Sequence, residues 1–397
     1  MENLNRWQRD EMLESIDIFC DIIDNFGDIG FVYRLAKEIK KKDAELEVRV
    51  FFNDSETFSK INKKININEK IQIIEDITYF DMKKMSDGDY VNVGNAQVAI
   101  EAYGCEIPKA YLENSSEDLK IVINLEYLTA EEWAKEYHLQ SSYINLKNVK
   151  KYFYMPGFEN WSGGLIIGEY EPLKNRSDFF NEVISDHSEK IFSGESKALV
   201  KEDTFVGTVF SYEYNFQKFL DTLEGFKREV VLLVFGEMSK DGMIITEKLK
   251  TLKNIGVIFM DYVEQDLYDK ILYNSDFNLV RGEESFSRAI VSGKPFLWHA
   301  YCQEEREHMN KVDGFLSFIK GKIPEKIYEN YSEIMYNYNS RSENHYNLEE
   351  EDFSGFFSEY EKEKEAFGSV SNYVKENGNL ADKLLRFLKK NLSENGF

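Results

Sequence analysis

The strongest constraint on the fold is a repeated pattern: short apolar runs rich in strand formers, each followed by a polar loop and then by helical periodicity. The clearest instance is Ile16-Asp17-Ile18-Phe19-Cys20, which leads into the glycine-bearing loop Asp21 to Gly30. Val32, Leu35, Ala36 and Ile39 then fall at i, i+3, i+4 and i+7 on one helical face, with Arg34, Lys37 and Lys40 largely off it. Further runs at Leu46 to Phe52, Ile71 to Ile74, Tyr90 to Val93, Val98 to Ala102 and Ile121 to Leu125 read as strands. Residues 1–168 therefore read as an α/β domain. Apolar density drops over residues 169–198, as in Glu171-Pro172-Leu173-Lys174-Asn175-Arg176-Ser177-Asp178, and this stretch reads as a linker.

Alternation resumes with strands at Phe205 to Phe210, Val230 to Phe235, Val257 to Met260 and Phe277 to Val280. Helices are expected around Tyr214 to Glu224, Ile244 to Thr251 and Leu267 to Tyr273. Residues 199–373 are thus a second domain, and the expected fold class is α/β with two doubly wound, Rossmann-like domains facing each other across a cleft. An acidic stretch from Asn347 to Phe367 reads as a solvated helix surface. Leu380, Leu384, Leu385 and Leu388 mark a closing amphipathic helix, with residues 374–397 completing the first domain.

Charge and cysteine usage exclude several classes. The 49 Lys and Arg against 72 Asp and Glu leave a net charge of −23, which repels phosphate backbones and argues against a nucleic-acid partner. The chain is nonetheless 42% hydrophobic, enough to argue against disorder. Cys20, Cys105 and Cys302 are odd in number and widely separated, so a reducing compartment is expected. The charged N-terminal segment lacks a signal peptide's apolar core, and no window approaches about 18 uninterrupted apolar residues. The expectation is a cytoplasmic protein with no membrane partner.

Ligands of doubly wound sheets sit beyond the carboxyl ends of the strands, so the loops there should carry the chemistry. Asp21, Asp24 and Asp28 lie in the first such loop, where a carboxylate serves as general base or as anchor for a cationic acceptor. The competing reading is that Asp28 caps the helix. The spacing is not GxGxxG, so NAD is not expected. In Asn278-Leu279-Val280-Arg281-Gly282-Glu283-Glu284-Ser285 a strand runs through a glycine into a helix, a setting for a diphosphate with Arg281 and Ser285 beside it; an ordinary helix start is the alternative. Phe210 and Tyr212 end a strand and either stack on a nucleobase or pack at the rim. Gly163-Gly164 reads as a turn, His299 as a packed residue or a contact, and no histidine spacing suggests a metal.

Five blocks, DIFCDIIDNFGDIGFVYRLAKEI, AIEAYGCEIP, INLEYLTAEEW, YFYMPGFENWSGGL and NLVRGEESFSRAIVSGKPFLWHAYCQ, occur in order from Asp17 to Gln303. Together they resemble the bacterial protein-arginine rhamnosyltransferases of the EarP family, which modify elongation factor P. The resemblance implies a GT-B glycosyltransferase that moves L-rhamnose from dTDP-β-L-rhamnose to an arginine with inversion, without a metal or other cofactor. It implies that the first domain binds the protein acceptor and the second the donor. By motif, Asp24 and Asp28 match the family's essential aspartates, with Asp28 as the base. Phe210, Tyr212 and Gln265 match donor contacts, and Arg281, Glu283, Glu284 and Ser285 match the diphosphate and active-site segment, with Glu283 counted as catalytic. Two departures stand out: Glu284 occupies a position where the family pattern has aspartate, and SGGLIIGE replaces a shorter, arginine-bearing segment to which no role is carried. The alternatives are a GT-B transferase with another sugar or acceptor, and a non-catalytic nucleotide-sugar or translation-factor binding protein.

Overall fold

The computed structural model describes residues 13–23, 26–114, 118–168, 170, 173–192, 199–212, 214–236, 253–340 and 353–394. The chain divides into two compact units, residues 1–167 with 374–397, and residues 168–373.

The first unit is built on an eight-stranded sheet of β1 (Ser15–Cys20), β2 (Glu47–Phe52), β3 (Ile71–Ile74), β4 (Ile77–Asp81), β5 (Val98–Ala102), β6 (Ile121–Leu125), β7 (Ser141–Ser142) and β8 (Lys150–Tyr154). The spatial order is β3-β4-β2-β1-β5-β6-β8-β7, parallel throughout except at the two edge strands β3 and β7. Period-two alternation sends Ile16, Ile18 and Cys20 to one face and Phe19 to the other, and both faces are covered. On the first face, α1 (Phe26–Lys42) contributes Ile29, Val32, Leu35, Ala36 and Ile39. The C-terminal helix, Leu380–Glu394, adds Leu380, Leu384, Leu385 and Leu388 to the same core. Each such leucine stabilises the unit by roughly 1.5–3 kcal/mol relative to exposure. On the other face Phe19, Phe51 and Phe80 stack across three neighbouring strands, with centroids 4.5 Å apart at each step.

A buried ion pair interrupts this core. Asp17 on β1 is fully buried, and Arg49 on β2 grips it with two bonds of 2.6 Å from Nε and Nη2. The Tyr111 hydroxyl donates a third bond to Asp17, at 2.5 Å, and Arg49 also donates to the carbonyls of Val93 and Gly94. Burial pushes the Asp17 carboxyl up, and the bonds from Arg49 and Tyr111 oppose that shift.

The run Tyr90 to Val93, expected as a strand, is helical: α2 spans Asp87–Val93. The reason lies just upstream, where the Asp89 carboxylate accepts from the Ser86 backbone N–H at 2.7 Å and from its hydroxyl at 2.8 Å. That is a helix-start arrangement, and it overrides the β propensity of two valines.

The second unit carries β9 (Ser188–Phe192), β10 (Phe205–Val209), β11 (Val230–Val234), β12 (Ile255–Met260), β13 (Phe277–Arg281) and β14 (Phe296–His299), in the order β14-β13-β10-β11-β12-β9. Only β9, at the edge, is antiparallel. The stretch expected as a linker therefore contains structure, α3 (Arg176–His187) followed by β9. Asn175 caps α3 by accepting the Asp178 N–H at 3.1 Å, and Phe180, Val183 and Ile184 bury against Val231, Leu233 and Ile258. Arg176, which looks like a linker charge in sequence, donates to Asp276 at 2.5 Å and to the carbonyls of Asn274 and Thr204. Gly207 on β10 lies so close to β13 that an added Cβ would sit 2.1 Å from the Phe277 ring, which fixes glycine there. The expected helix Ile244 to Thr251 lies outside the described residues.

The helix expected around Tyr214 to Glu224 spans Gln217–Glu224, and beyond it lie α4 (Gln265–Asn274), α5 (Gly282–Ser292), α6 (His308–Ile319) and α7 (Glu325–Asn339). The acidic stretch is more than a solvated surface. Residues 347–352 lie outside the described residues, but Phe353, Phe356, Phe357 and Phe367 are buried, the last on α8 (Tyr360–Glu376). Its Glu363 is 4% exposed, and burial pushes the carboxyl up to about 7. Among the described residues no helix is long and apolar enough to cross a membrane.

Two predictions follow from these buried charges. Arg49→Leu strands the Asp17 carboxylate and should lower unfolding free energy by about 3 kcal/mol or more, read by denaturant titration. For Glu363, the folded state holds its proton above the ordinary carboxyl value, so its contribution to stability is lost as pH rises from 4.5 to about 7. Glu363→Gln should therefore match the parent's melting temperature at pH 5 and exceed it at pH 8.

Candidate active site

In each sheet the strand order reverses direction at one place. In the first unit the chain builds outward from β1 through β2 to β4, then returns to lay β5, β6 and β8 on the other side, so the switch falls between β1 and β5. In the second it builds β10, β11 and β12, then returns for β13 and β14, so the switch falls between β10 and β13. Neighbouring strands diverge into loops on opposite faces there, which opens a crevice at their carboxyl ends. Asp21 and Asp28 fall at the first of these places, and Phe210, Tyr212, Arg281, Glu283, Glu284 and Ser285 at the second.

In the first unit the loop after β1 leads into α1, where Asp28 occupies the third position and is 1% exposed. Its Oδ2 accepts the Ile23 N–H at 3.0 Å, and its Oδ1 accepts the Tyr127 hydroxyl at 3.0 Å. The capping alternative thus holds in part: the carboxylate favours the positive helix end and ties down the loop that precedes it. The bond from Tyr127 is not a capping interaction. Tyr127 follows β6, and its ring stacks on Tyr103, which follows β5, at 4.1 Å and 7°. Tyr103 stands at φ +59°, a conformation uncommon for a non-glycine residue. Burial, and after it the negative charge of Asp28, hold the Cys20 thiol well above its ordinary range. Asp21 accepts from the Asn53 amide at 2.9 Å, which joins the loop to the end of β2. Asp24 lies outside the described residues.

In the second unit Arg281 ends β13 and caps α5, and the turn into the helix is made by Gly282 at φ +62°. The guanidinium carbon lies 4.4 Å from the Phe210 ring centroid and 4.8 Å from that of Tyr212. Nη1 reaches the carbonyl of Ser211, between them, at 3.5 Å. Three consecutive residues after β10 therefore hold a cation that ends β13. Each ring contributes roughly 0.5–2 kcal/mol of cation–π attraction.

The two glutamates that sit awkwardly beside a phosphate are both answered by cations. Glu283 accepts from Lys311 on α6 at 2.5 Å, and Glu284 lies 3.8 Å from Arg288 one turn further along α5. Ser285 turns inward, accepting the Arg281 N–H at 3.2 Å and donating to the Arg281 carbonyl, so it braces the strand-to-helix turn. Gln265 is buried at the start of α4, one turn before Tyr268, whose ring meets Phe210 edge-on at 6.0 Å. Phe210, Tyr212, Arg281 and Ser285 thus form one cluster, Glu283 and Glu284 flank it, and Gln265 joins it through a neighbour. Gly163 and Gly164 do something other than turn: added Cβ atoms would lie 2.3 Å from the Tyr154 ring and 2.5 Å from the Gly378 carbonyl, so they permit close packing within the first unit. Tyr127 and Lys311 were not singled out from sequence. Tyr127 lies in the INLEYLTAEEW block, whereas Lys311 has no motif around it.

Two doubly wound, Rossmann-like units with residue clusters at both switch points are the fold class of the GT-B glycosyltransferases. The family model described as Elongation-Factor P (EF-P) rhamnosyltransferase EarP matches residues 16–389, and the chain belongs to this family of protein-arginine rhamnosyltransferases. The protein-arginine rhamnosyltransferase of Pseudomonas aeruginosa is 30% identical over 334 residues, covering 80% of this chain and 85% of that one. Its counterpart in Shewanella oneidensis is 28% identical over 342 residues, covering 80% and 84%. A solved structure titled "Structural basis for EarP-mediated arginine glycosylation of translation elongation factor EF-P" aligns with a TM-score of 0.55 at 17% identity, covering 95% of this chain and 99% of that one. Arabidopsis thaliana UGT89C1 complexed with UDP-L-rhamnose aligns at 0.50 and 10% identity, covering 96% and 100%. At such identities these two structures bear on fold alone.

Tyr127→Phe removes one hydrogen bond from the Asp28 carboxylate and leaves the ring stack in place. A bond to a charged group contributes about 1.5–3 kcal/mol, so the unfolding free energy should fall by about that much, read by denaturant titration.

Proposed function

We propose that the chain transfers L-rhamnose from dTDP-β-L-rhamnose to an arginine side chain of elongation factor P, with inversion at the anomeric carbon. The observation that carries this reading is the placement of a buried, doubly held carboxylate at one switch point and a clamped guanidinium at the other. The names of the family and of its curated relatives support the acceptor and the sugar.

The acceptor sets the chemical problem. A guanidinium is protonated at any ordinary pH and its lone pairs are delocalised, so it is a poor nucleophile. Asp28 accepts a hydrogen bond from one guanidinium nitrogen, orients it toward the anomeric carbon, and takes its proton as the new N–C bond forms. The C–O bond to the diphosphate breaks in the same event, and its electron pair leaves with dTDP. Asp24 shares the work of positioning the acceptor. At the other site the growing negative charge on the diphosphate meets Arg281 and the positive end of α5, an eleven-residue helix.

In this scheme the protein's own positive groups stabilise the leaving group, and no metal is used. Phe210, Tyr212 and Gln265 bind the nucleotide, and Glu284 and Ser285 hold the segment that receives the diphosphate. Glu283, held by Lys311, acts at the reacting centre. The cytoplasm, where translation factors reside, is the proposed location.

The test is intact mass spectrometry of elongation factor P after incubation with the enzyme and dTDP-rhamnose. One added deoxyhexose, mapped to arginine, is expected with the parent and none with Asp28→Asn, which should bind dTDP as the parent does. Arg281→Ala should weaken dTDP binding by tenfold or more, since it loses a charge-assisted contact of about 1.5–3 kcal/mol. Donor binding without transfer by the parent would favour a non-catalytic role, and transfer only with another sugar or acceptor would move the chain within its class.

A further inference from the structure

His299 ends β14, is 9% exposed, and has no role in the scheme above. Its Nδ1 lies 2.8 Å from the Ser211 hydroxyl, and the same hydroxyl lies 2.7 Å from that of Tyr338 on α7. Ser211 is fully buried and is the middle residue of the three that hold Arg281: its carbonyl faces Nη1, and the rings on either side of it flank the guanidinium. The imidazole also stands edge-on to Tyr212, at 5.4 Å and 79°.

We infer that His299 is a positioning residue for the donor site, fixing the Phe210–Tyr212 segment through the Ser211 hydroxyl so that Arg281 is held ready for the diphosphate. Without an anchor, residues just past a strand lose the ladder that orders them, and each donor-binding event would bear the cost of ordering that segment. A hydroxyl carries one proton and two lone pairs, so Ser211 can satisfy both His299 and Tyr338 at once. The anchor is rigid from the other side too. Asn339, next to Tyr338, accepts the Ala300 N–H at 2.8 Å and donates to the Trp298 carbonyl at 2.9 Å, pinning α7 to both sides of His299. The loop after β10 is thereby tied to β14 and α7, while Phe210 itself is tied to β13 by its N–H to the Leu279 carbonyl at 2.8 Å.

The inference rests on the donor-site reading above, and the experiment separates the two. Binding of dTDP to the full-length chain is measured by calorimetry for the parent, His299→Leu, His299→Asn and Ser211→Ala, with melting temperature as a check on folding and steady-state KM for dTDP-rhamnose and kcat alongside. Asparagine keeps a polar atom near the Nδ1 position and discards the ring, so it separates hydrogen bonding from packing. His299→Leu and Ser211→Ala should each weaken dTDP binding and raise donor KM by about tenfold, the range for one buried hydrogen bond with its partner stranded. The value of kcat should change far less, and His299→Asn should recover most of the affinity. His299→Leu and Ser211→Ala combined should be little worse than either alone.

Unchanged dTDP affinity in folded His299→Leu, or a folded His299→Asn as impaired as His299→Leu, overturns the inference. If His299→Leu does not fold, Ser211→Ala decides, and parental affinity in that variant overturns it equally. A parent that binds no dTDP refutes the donor-site reading, and with it this inference.

Discussion

The arrangement depends on the parallel strand ladders at the two switch points. In a parallel sheet all carboxyl ends lie along one edge, and where the winding reverses no crossover covers the gap between neighbouring strands. The pairing of Cys20 with Ala102 sets how far β1 and β5 extend before their loops begin, and the pairing of Val209 with Leu279 does so for β10 and β13. Asp28 comes eight residues after the first of these strands ends, Phe210 comes directly after Val209, and Arg281 two residues after Leu279. The chemistry is held in place because the ladders beneath it are buried on both faces.

The two sites use opposite electrostatic devices for the same end. Around Asp28, neutral donors from two different segments, the Ile23 N–H and the Tyr127 hydroxyl, hold a carboxylate by hydrogen bonds. Around Arg281, ring faces and one carbonyl hold a guanidinium, and among the described residues no carboxylate is placed against it, which in the proposed scheme keeps its charge for the diphosphate. The nearby carboxylates meet other cations, Glu283 meeting Lys311 and Glu284 meeting Arg288. Preorganised charge of this kind is the largest lever an active site has, because the groups need not reorient during the reaction.

How much of this was legible in the sequence depends on range. The loop from Asp21 to Gly30 and the turn from Arg281 to Ser285 could be read because strand, glycine and helix follow one another locally. The bond from Tyr127 to Asp28 spans 99 residues, that of Lys311 to Glu283 spans 28, and that of His299 to Ser211 spans 88, and no periodicity encodes such pairings. The misread stretches were also local but ambiguous. Tyr90 to Val93 looks like a strand until Ser86 and Asp89 are seen to start a helix. Asn175 and Arg176 look like linker residues until a cap and an ion pair with Asp276 use them. The acidic stretch hides phenylalanines whose burial only tertiary packing reveals.

The central claim is a single displacement in which an enzyme carboxylate activates arginine and no sugar–enzyme bond forms. The most direct test is the anomeric configuration of the product, read by nuclear magnetic resonance from the one-bond carbon–proton coupling of the transferred sugar's anomeric carbon. Starting from the β-linked donor, the account predicts an α-linked rhamnosyl-arginine. A β-linked product would mean net retention through an intermediate, and would contradict the assignment of Asp28 as the base of a direct transfer.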